Sequence, residues 1–480
     1  NISYAEAISE FADIFKVENS AKGYDVVVNG GGIAGCFIAL EAVKQGYKVL
    51  LLDKRTYLGF DITAKRKLWL KTNGCEKWPD DVSEIFTPQA EMKEVFNNDL
   101  TGFRNSCYGD EMLLFAGSVK KGLLRKLLVN KVDIMLMTDA FGVLTDRNDQ
   151  VSGMAVACKQ GTYSIPCNHI VDATDNNFFT RNLAGEKYNI QRAGFVMELE
   201  NALCKKNTLI VDPSYGLIDN MIKIHQGKKY PDQCFLEFEI PIDSTELSEI
   251  EQIVRLKAAS VSKDFAIIDP QLADASMRFY AQESSFYIKE KKVPHNPVGK
   301  GYTYISNSTI KLYDCLTILE MLTGGKEVVH QLGINKNEKD HHFLYFSGNK
   351  IAAKNLIDNT AVNEEGIALP FFGLNINPLE TKNHNCSLLV AGGGTAGVTA
   401  ALGAAGKGCK PTIVDYFNDL GGSKTMGGVL GYYLGLNKHP FIVSYEKSIK
   451  EVASGYKLSG AISRSLTHLQ ALNKGDYEMI

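Results

Sequence analysis

Two stretches of the chain carry the same alternation of apolar and small residues. From Tyr24 to Asn29 a short apolar run predicts a strand, Ala34 to Lys44 reads as a helix, and Tyr47 to Leu52 predicts a second strand ending at Asp53. The pattern returns from Ser387 to Ala391, where another short strand precedes a glycine turn and a helix of small residues. Between them, Val132 to Met137, Phe141 to Thr145, Val151 to Ala157 and Thr162 to Ile165 are short β-rich runs, joined by turn residues such as Asn148-Asp149. They lead to His169-Ile170-Val171-Asp172. Further on, Cys234 to Ile240 alternates, with Leu236, Phe238 and Ile240 on one face and Glu237 and Glu239 on the other, which predicts a half-buried antiparallel strand. Asp243-x-x-Glu246 forms a capping box before Leu247, Ile250, Ile253 and Val254. Leu312, Leu316, Leu319 and Leu322 mark another helix, which Gly324-Gly325 is expected to end. Near the start, Ile8, Phe11, Ala12 and Phe15 recur at helical spacing.

The two similar stretches form an internal repeat. A shift of 362 positions lays Val26 to Phe60 over Leu388 to Gly422 without a gap, and 14 of the 35 positions are identical. The first copy holds Gly30, Gly32 and Gly35 in a G-x-G-x-x-G turn, and the second holds Gly392, Gly394 and Gly397. Asp53 and Asp415 each stand 23 residues after the first glycine of their copy. The first glycine permits a tight turn, the second lets a diphosphate approach the backbone, and the third lets helix pack on strand. The helix start then offers free N–H groups and the positive end of its dipole to an anion. An acid at the end of the second strand can accept hydrogen bonds from ribose hydroxyls. The spacing therefore points to nucleotide binding by at least one copy, while a turn serving packing alone suits one copy better than two.

Composition narrows the class further. The 480 residues suffice for two to four domains, and 45% apolar with 22% charged residues describes a folded globular protein. With 52 basic against 55 acidic residues the charge is balanced, which argues against nucleic-acid or anionic-membrane partners. Ten cysteines occur with no C-x-x-C and no zinc spacing, so no metal site is expected. Several sit in apolar runs, as Cys158 does, and free thiols there favour a reducing, cytoplasmic compartment. The opening segment lacks a charged-then-apolar leader, a reading that leaves open a signal peptide already removed. Cys386 to Gly406 is uncharged over 21 residues, about the length of a membrane span, but its six glycines break it into strand, turn and helix.

The segment Ile170 to Gly185, IVDATDNNFFTRNLAG, resembles the I-D-A-T-G-D…A-G segment of the bacterial FAD-dependent oxidoreductases, which have the glutathione-reductase-like fold. Asp419 to Gly428, DLGGSKTMGG, is similar to that family's Leu-Gly-Gly loop. The resemblance implies an α/β fold: an FAD-binding Rossmann domain with a β-meander over about 1–185, an inserted α+β substrate or cap domain over 186–385, and a second Rossmann-type dinucleotide motif over 386–480. It further implies that Gly30, Gly32, Ile33, Ala34 and Gly35 hold the FAD pyrophosphate. Asp53 and Lys54 would lie at the adenosine ribose, the Ala140 backbone at the adenine edge, and Asp172, Ala173 and Thr174 near the dinucleotide. Gly392, Gly394, Gly397, Asp415, Gly421 and Gly422 are the corresponding residues of the second copy. Two positions depart from the family pattern: Phe60 replaces the second Gly of Leu-Gly-Gly, and Asp175 the Gly of Ala-Thr-Gly.

The resulting expectation is an FAD-dependent oxidoreductase moving hydride between its flavin and a small-molecule substrate, of undetermined oligomeric state. The alternative is a nucleotide-binding or scaffold protein whose flavin site no longer supports chemistry. Catalytic residues are not assigned. His341, His342 and His439 are candidates for a base, and each also suits a structural role. Neither Leu-Gly loop is followed by a Cys-x4-Cys pair, which argues against a disulfide reductase.

Overall fold

In a computed structural model, the structure describes residues 23–71, 85–86, 111–145, 150–159, 161–186, 189–226, 232–289, 298–305, 315–332, 373–375, 384–427, 429 and 438–480. The opening helix, His341, His342, Asn148-Asp149 and Leu312 lie outside those residues.

The first repeat builds β1 (Tyr24–Asn29), α1 (Ile33–Lys44) and β2 (Val49–Asp53), followed by the one-turn α2 (Phe60–Thr63) and the short strands β3 (Trp69–Lys71) and β4 (Glu111–Leu113). Helix α3 (Ala116–Val129) then leads into β5 (Asp133–Leu136), β6 (Thr138–Thr145), β7 (Val151–Cys158) and β8 (Gly161–Asp172), and α4 (Phe178–Leu183) closes this part. Strand β1 pairs in parallel with β2 on one side and β8 on the other, and β2 pairs in parallel with β5. Val26, Val27 and Val28 have no exposed surface, as expected of a central parallel strand covered on both faces.

Two sequence expectations change here. Val132 to Met137 is not a meander strand, because β5 continues the parallel sheet beyond β2. Thr162–Ile165 and His169–Asp172 are one strand, β8, whose first half pairs antiparallel with β7 and whose second half pairs parallel with β1. Pro166 interrupts the apolar pattern in sequence without ending the strand.

The middle of the chain forms a second sheet. Its strands are β9 (Ile190–Glu200), β10 (Thr208–Ile210), β11 (Met221–Gln226) and β12 (Cys234–Pro241), then, after helix α5 (Leu247–Lys263), β13 (Ser276–Tyr280) and β14 (Ser285–Ile288). All pair antiparallel, with β9 central. The capping box is displaced: Glu246 is the N-cap of α5, and its amide is bonded by Ser244 Oγ, whose hydroxyl in turn donates to Glu249. Strand β12 is buried on both faces rather than one. Glu237 is 3% exposed because Lys67 and His225 cover it, and the Trp69 ring stacks on His225 at 3.7 Å.

The chain then returns to the first sheet. Strand β15 (Tyr302–Tyr304) pairs parallel with β8, helix α6 (Cys315–Gln331) packs on α1, and β16 (Gly373–Asn375) pairs antiparallel with β6. Gly324-Gly325 does not end α6. A Cβ on Gly325 would lie 3.3 Å from Ile38 Cγ1, so this glycine serves close packing of two helices.

The second repeat gives β17 (Leu389–Ala391), α7 (Thr395–Ala405) and β18 (Thr412–Val414), with α8 (Pro440–Tyr456), α9 (Gly460–Lys474) and β19 (Glu478–Met479) completing a small parallel sheet in the order β17-β18-β19. It is much less buried than the first: α1 buries nine of its twelve residues, whereas α7 buries Val398 and Ala401. Asp419 ties this part to the second sheet by accepting hydrogen bonds from Tyr280 at 2.7 Å and from Ser465. Among the described residues no helix is long and apolar enough to cross a membrane, and no group of three or more His, Cys, Asp or Glu could hold a metal.

Candidate functional site

The first glycine turn stands between the ends of β1, β2 and β8, the place where open parallel sheets in general bind their ligands. Gly30 has φ +117°, and a Cβ there would lie 2.4 Å from the Ala173 carbonyl oxygen. At Gly35 a Cβ would lie 1.9 Å from the Gly30 carbonyl oxygen. Each glycine therefore has the packing role its spacing implies. Asp53, 2% exposed, accepts from the Gly31 amide at 2.6 Å and from the Arg55 amide at 2.8 Å.

The second glycine faces the chain itself. A Cβ on Gly32 would meet Asp61 Oδ2 at 2.6 Å, and the same oxygen accepts the Ile33 N–H, the first amide of α1, at 2.7 Å. The first amide of α1 is thus already held by a carboxylate oxygen, as expected of a helix N-terminus, which attracts anions. Burial pushes the Asp61 carboxyl up to about 6, against the pull of Lys65 and of the Ile33 amide.

Around Asp61 lies a closed network of charge. Arg55 pairs with Glu283 at 2.5 Å and Asp53 at 3.3 Å, and Lys65 pairs with Asp175 at 2.5 Å. Burial raises Glu283, yet the Arg55 guanidinium outweighs it and holds this carboxyl down to about 2. Both departures from the family pattern have work in this network. Asp175 is the partner of Lys65, and Phe60, 1% exposed, lies beneath the Arg55 guanidinium at 3.8 Å.

The remaining candidate residues separate by surroundings. Asp172 is fully buried and staples its own turn, accepting from the Thr174 amide and hydroxyl at 2.9 and 2.6 Å and from the Thr180 amide and hydroxyl at 2.9 and 2.5 Å. Ala173 lines the turn through its backbone beside Gly30. The Ala140 amide is engaged by the Asp139 carboxyl, whose pKa burial raises. Lys54 is exposed, and its carbonyl accepts the Tyr416 hydroxyl of the second repeat at 3.0 Å. His439 caps α8 through its ring nitrogen.

In the second repeat, Gly393 donates its amide to Asp415, and a Cβ on Gly397 would lie 1.8 Å from the Gly392 carbonyl oxygen, so the turn repeats the first. Gly421 and Gly422 adopt φ +105° and +51° around it. The difference lies at its centre: a Cβ on Gly392 or Gly394 would meet none of the described residues within 4 Å. The position equivalent to Asp61 is Ser423. Sequence reasoning missed Asp61, Arg55, Lys65, Glu283 and Tyr416. Extending the repeat comparison one residue past Phe60 would have set an acid against a serine at the mouth of otherwise matching turns.

A family described as FAD dependent oxidoreductase matches residues 25–216 and 387–470, more than half of the chain. No curated protein matches. Among solved structures, glycine oxidase from Bacillus cereus ATCC 14579 is 14% identical, with 66% of this chain and 99% of that chain covered, at a TM-score of 0.38. L-proline dehydrogenase from P. horikoshii is also 14% identical, covering 66% of this chain and 95% of that one, with a TM-score of 0.37. OxyS anhydrotetracycline hydroxylase from Streptomyces rimosus is 12% identical over 64% of this chain and 62% of its own, with a TM-score of 0.41.

Proposed function

The chain belongs to the FAD-dependent oxidoreductase family, and from that membership we propose that it oxidises or reduces a small-molecule substrate by hydride exchange with FAD lying over the first glycine turn. The observation that carries this placement is the strand order β8-β1-β2-β5 with the turn at its centre and Asp53 at the end of β2. FAD, when bound, supplies the two-electron chemistry. The chain supplies the seat. Gly30, Gly32 and Gly35 bring backbone close to the diphosphate, with Ile33 and Ala34 beside it at the start of α1. Asp53 and Lys54 lie at the adenosine ribose, the Ala140 backbone at the adenine edge, and Ala173 and Thr174 along the turn after β8. Asp172 positions that turn through Thr174 and Thr180 rather than touching the ligand.

A second reading gives the second repeat a nucleotide of its own. The open space over Gly394, beside Asp415, Gly421 and Gly422, favours it. The two seats separate by mutation. Gly32→Val puts a branched side chain where the first diphosphate would lie and is expected to reduce FAD bound there at least tenfold, and Gly394→Val does the same for any nucleotide at the second turn. Flavin content of each folded variant checks both.

The reaction itself is tested by the visible flavin spectrum. The protein is expected to be yellow, to bleach with dithionite and to be reoxidised by an electron acceptor. A flavin that binds but neither bleaches nor reoxidises would support the alternative, a nucleotide-binding scaffold.

A further inference from the structure

The anion at the start of α1 comes from an unusual direction. A helix cap ordinarily belongs to the residue just before the helix. Here Gly32 precedes α1 and offers no side chain, and Asp61 reaches the Ile33 amide from 28 residues further along. Only one carboxylate oxygen is used. Asp61 is 2% exposed, and its Oδ1 is buried with no hydrogen-bond partner among the described residues. A buried acceptor left in this state is costly, so capping alone is a poor account of the residue.

The second repeat provides the comparison. It has the same turn, the same aspartate at the end of its second strand and Ser423 in place of Asp61, and there the glycine turn is open. The element carrying Asp61 is a single helical turn hung from Gly59, whose φ of +72° lies in the left-handed region.

We infer that Asp61 is a gate on the first dinucleotide seat: FAD reaches the α1 amides only when the Asp61 carboxylate takes up one proton from solvent and turns away, so cofactor binding is coupled to proton uptake. The inference rests on the reading that FAD lies over the first turn. Two anions cannot share one buried amide without a large desolvation and repulsion cost. A neutral Asp61 carboxyl gives up the helix-dipole attraction that holds it.

The groups facing Asp61 set where this happens. They are Lys65 beyond α2, Asp175 after β8, Arg55 after β2 and Cys36 on α1. Burial raises Asp61, Lys65 and the Ile33 amide oppose it, Asp175 adds to it and Arg55 opposes it, which brings the group to about 6. The carboxylate is therefore charged at neutral pH and half-neutral about one unit below.

Apoprotein titrated with FAD between about pH 5 and about pH 7.5, followed by flavin fluorescence, tests the gate through affinity alone. Wild-type affinity is expected to fall with rising pH, approaching tenfold per unit above the Asp61 titration. Asp61→Ser, the residue of the second repeat, is expected to abolish that slope and to bind at least tenfold tighter at the upper end. Asp61→Asn keeps an acceptor for the Ile33 amide, removes the charge and is also expected to be flat, which covers a failure of the serine variant to fold. A flat wild-type profile, or the wild-type slope retained in a folded Asp61 variant, overturns the gate. Where Gly32→Val still abolishes FAD binding, the placement of FAD survives that failure. FAD binding unchanged by Gly32→Val, or absent at every pH in all forms, overturns gate and placement together.

Discussion

Gly35→Val is expected to destabilise the first repeat strongly and to leave the protein without flavin at that seat. The Cβ alone would lie 1.9 Å from the Gly30 carbonyl oxygen and 3.1 Å from the Ala173 Cβ. The first of these is backbone, held by β1 and by the Ala173 amide on the Asn29 carbonyl, so no side chain can swing aside. Overpacking a core with one or two methylenes costs about 1–3 kcal/mol, and a clash with fixed backbone lies at or above the top of that range. A loss of at least about 3 kcal/mol lowers the melting temperature by roughly 10 °C in a domain of this size. Gly117→Ala is the control. Gly117 is exposed in the first turn of α3, its Cβ would meet none of the described residues within 4 Å, and replacing it is expected to raise stability by up to about 1 kcal/mol. Melting curves and flavin content of the two variants check the pair.

Lys65→Met is the second large effect, and it falls on stability. The Lys65 side chain is fully buried and the side chain of Asp175 is 7% exposed, so removing the cation takes the countercharge from a buried carboxylate. Breaking a buried pair in this way costs about 3–5 kcal/mol. The double variant Lys65→Met/Asp175→Leu removes both charges and is expected to recover most of the loss, as apolar replacements of buried pairs do. Urea unfolding of the two single variants and the double closes the cycle. A double variant no more stable than Lys65→Met would show that Asp61, Arg55 and Glu283 depend on the pair for their own arrangement.

The elements of the first repeat were legible because a buried parallel strand and a glycine turn leave local marks. Val26 to Val28, Gly30, Gly35 and Asp53 each follow from spacing alone. The long strand β8 reads as two pieces because Pro166 breaks the apolar pattern, while its pairing changes partner along its length, from β7 to β1, in a way no local window records. Gly324-Gly325 reads as a helix terminus because two glycines stand together, yet α6 runs on through them, and at Gly325 the cost of glycine is offset by the close approach of α1. Strand β5 was assigned to the meander since a short β-rich run carries no mark of the strand beside which it will lie. Glu237 was placed toward solvent by alternation, and the Lys67 that pairs with it is 170 positions away.

The side chains around the first turn divide in the same way. Residues that act through their own backbone, the glycines above all, announce themselves by spacing. Asp61 meets Ile33, Lys65 meets Asp175 and Arg55 meets Glu283 across long sequence separations, and nothing near these residues in the chain names those partners. The exception is Asp61, whose counterpart Ser423 makes it visible as a difference between two copies of one design.

The most direct measurement is the identity of the nucleotide carried by the purified protein, released by acid or heat and examined by mass spectrometry. FAD released intact, without covalent attachment and lost from the Gly32→Val variant, is the expected result. Release of NAD or NADP alone, or no nucleotide even after reconstitution with FAD at the acid end of the pH range, would contradict it.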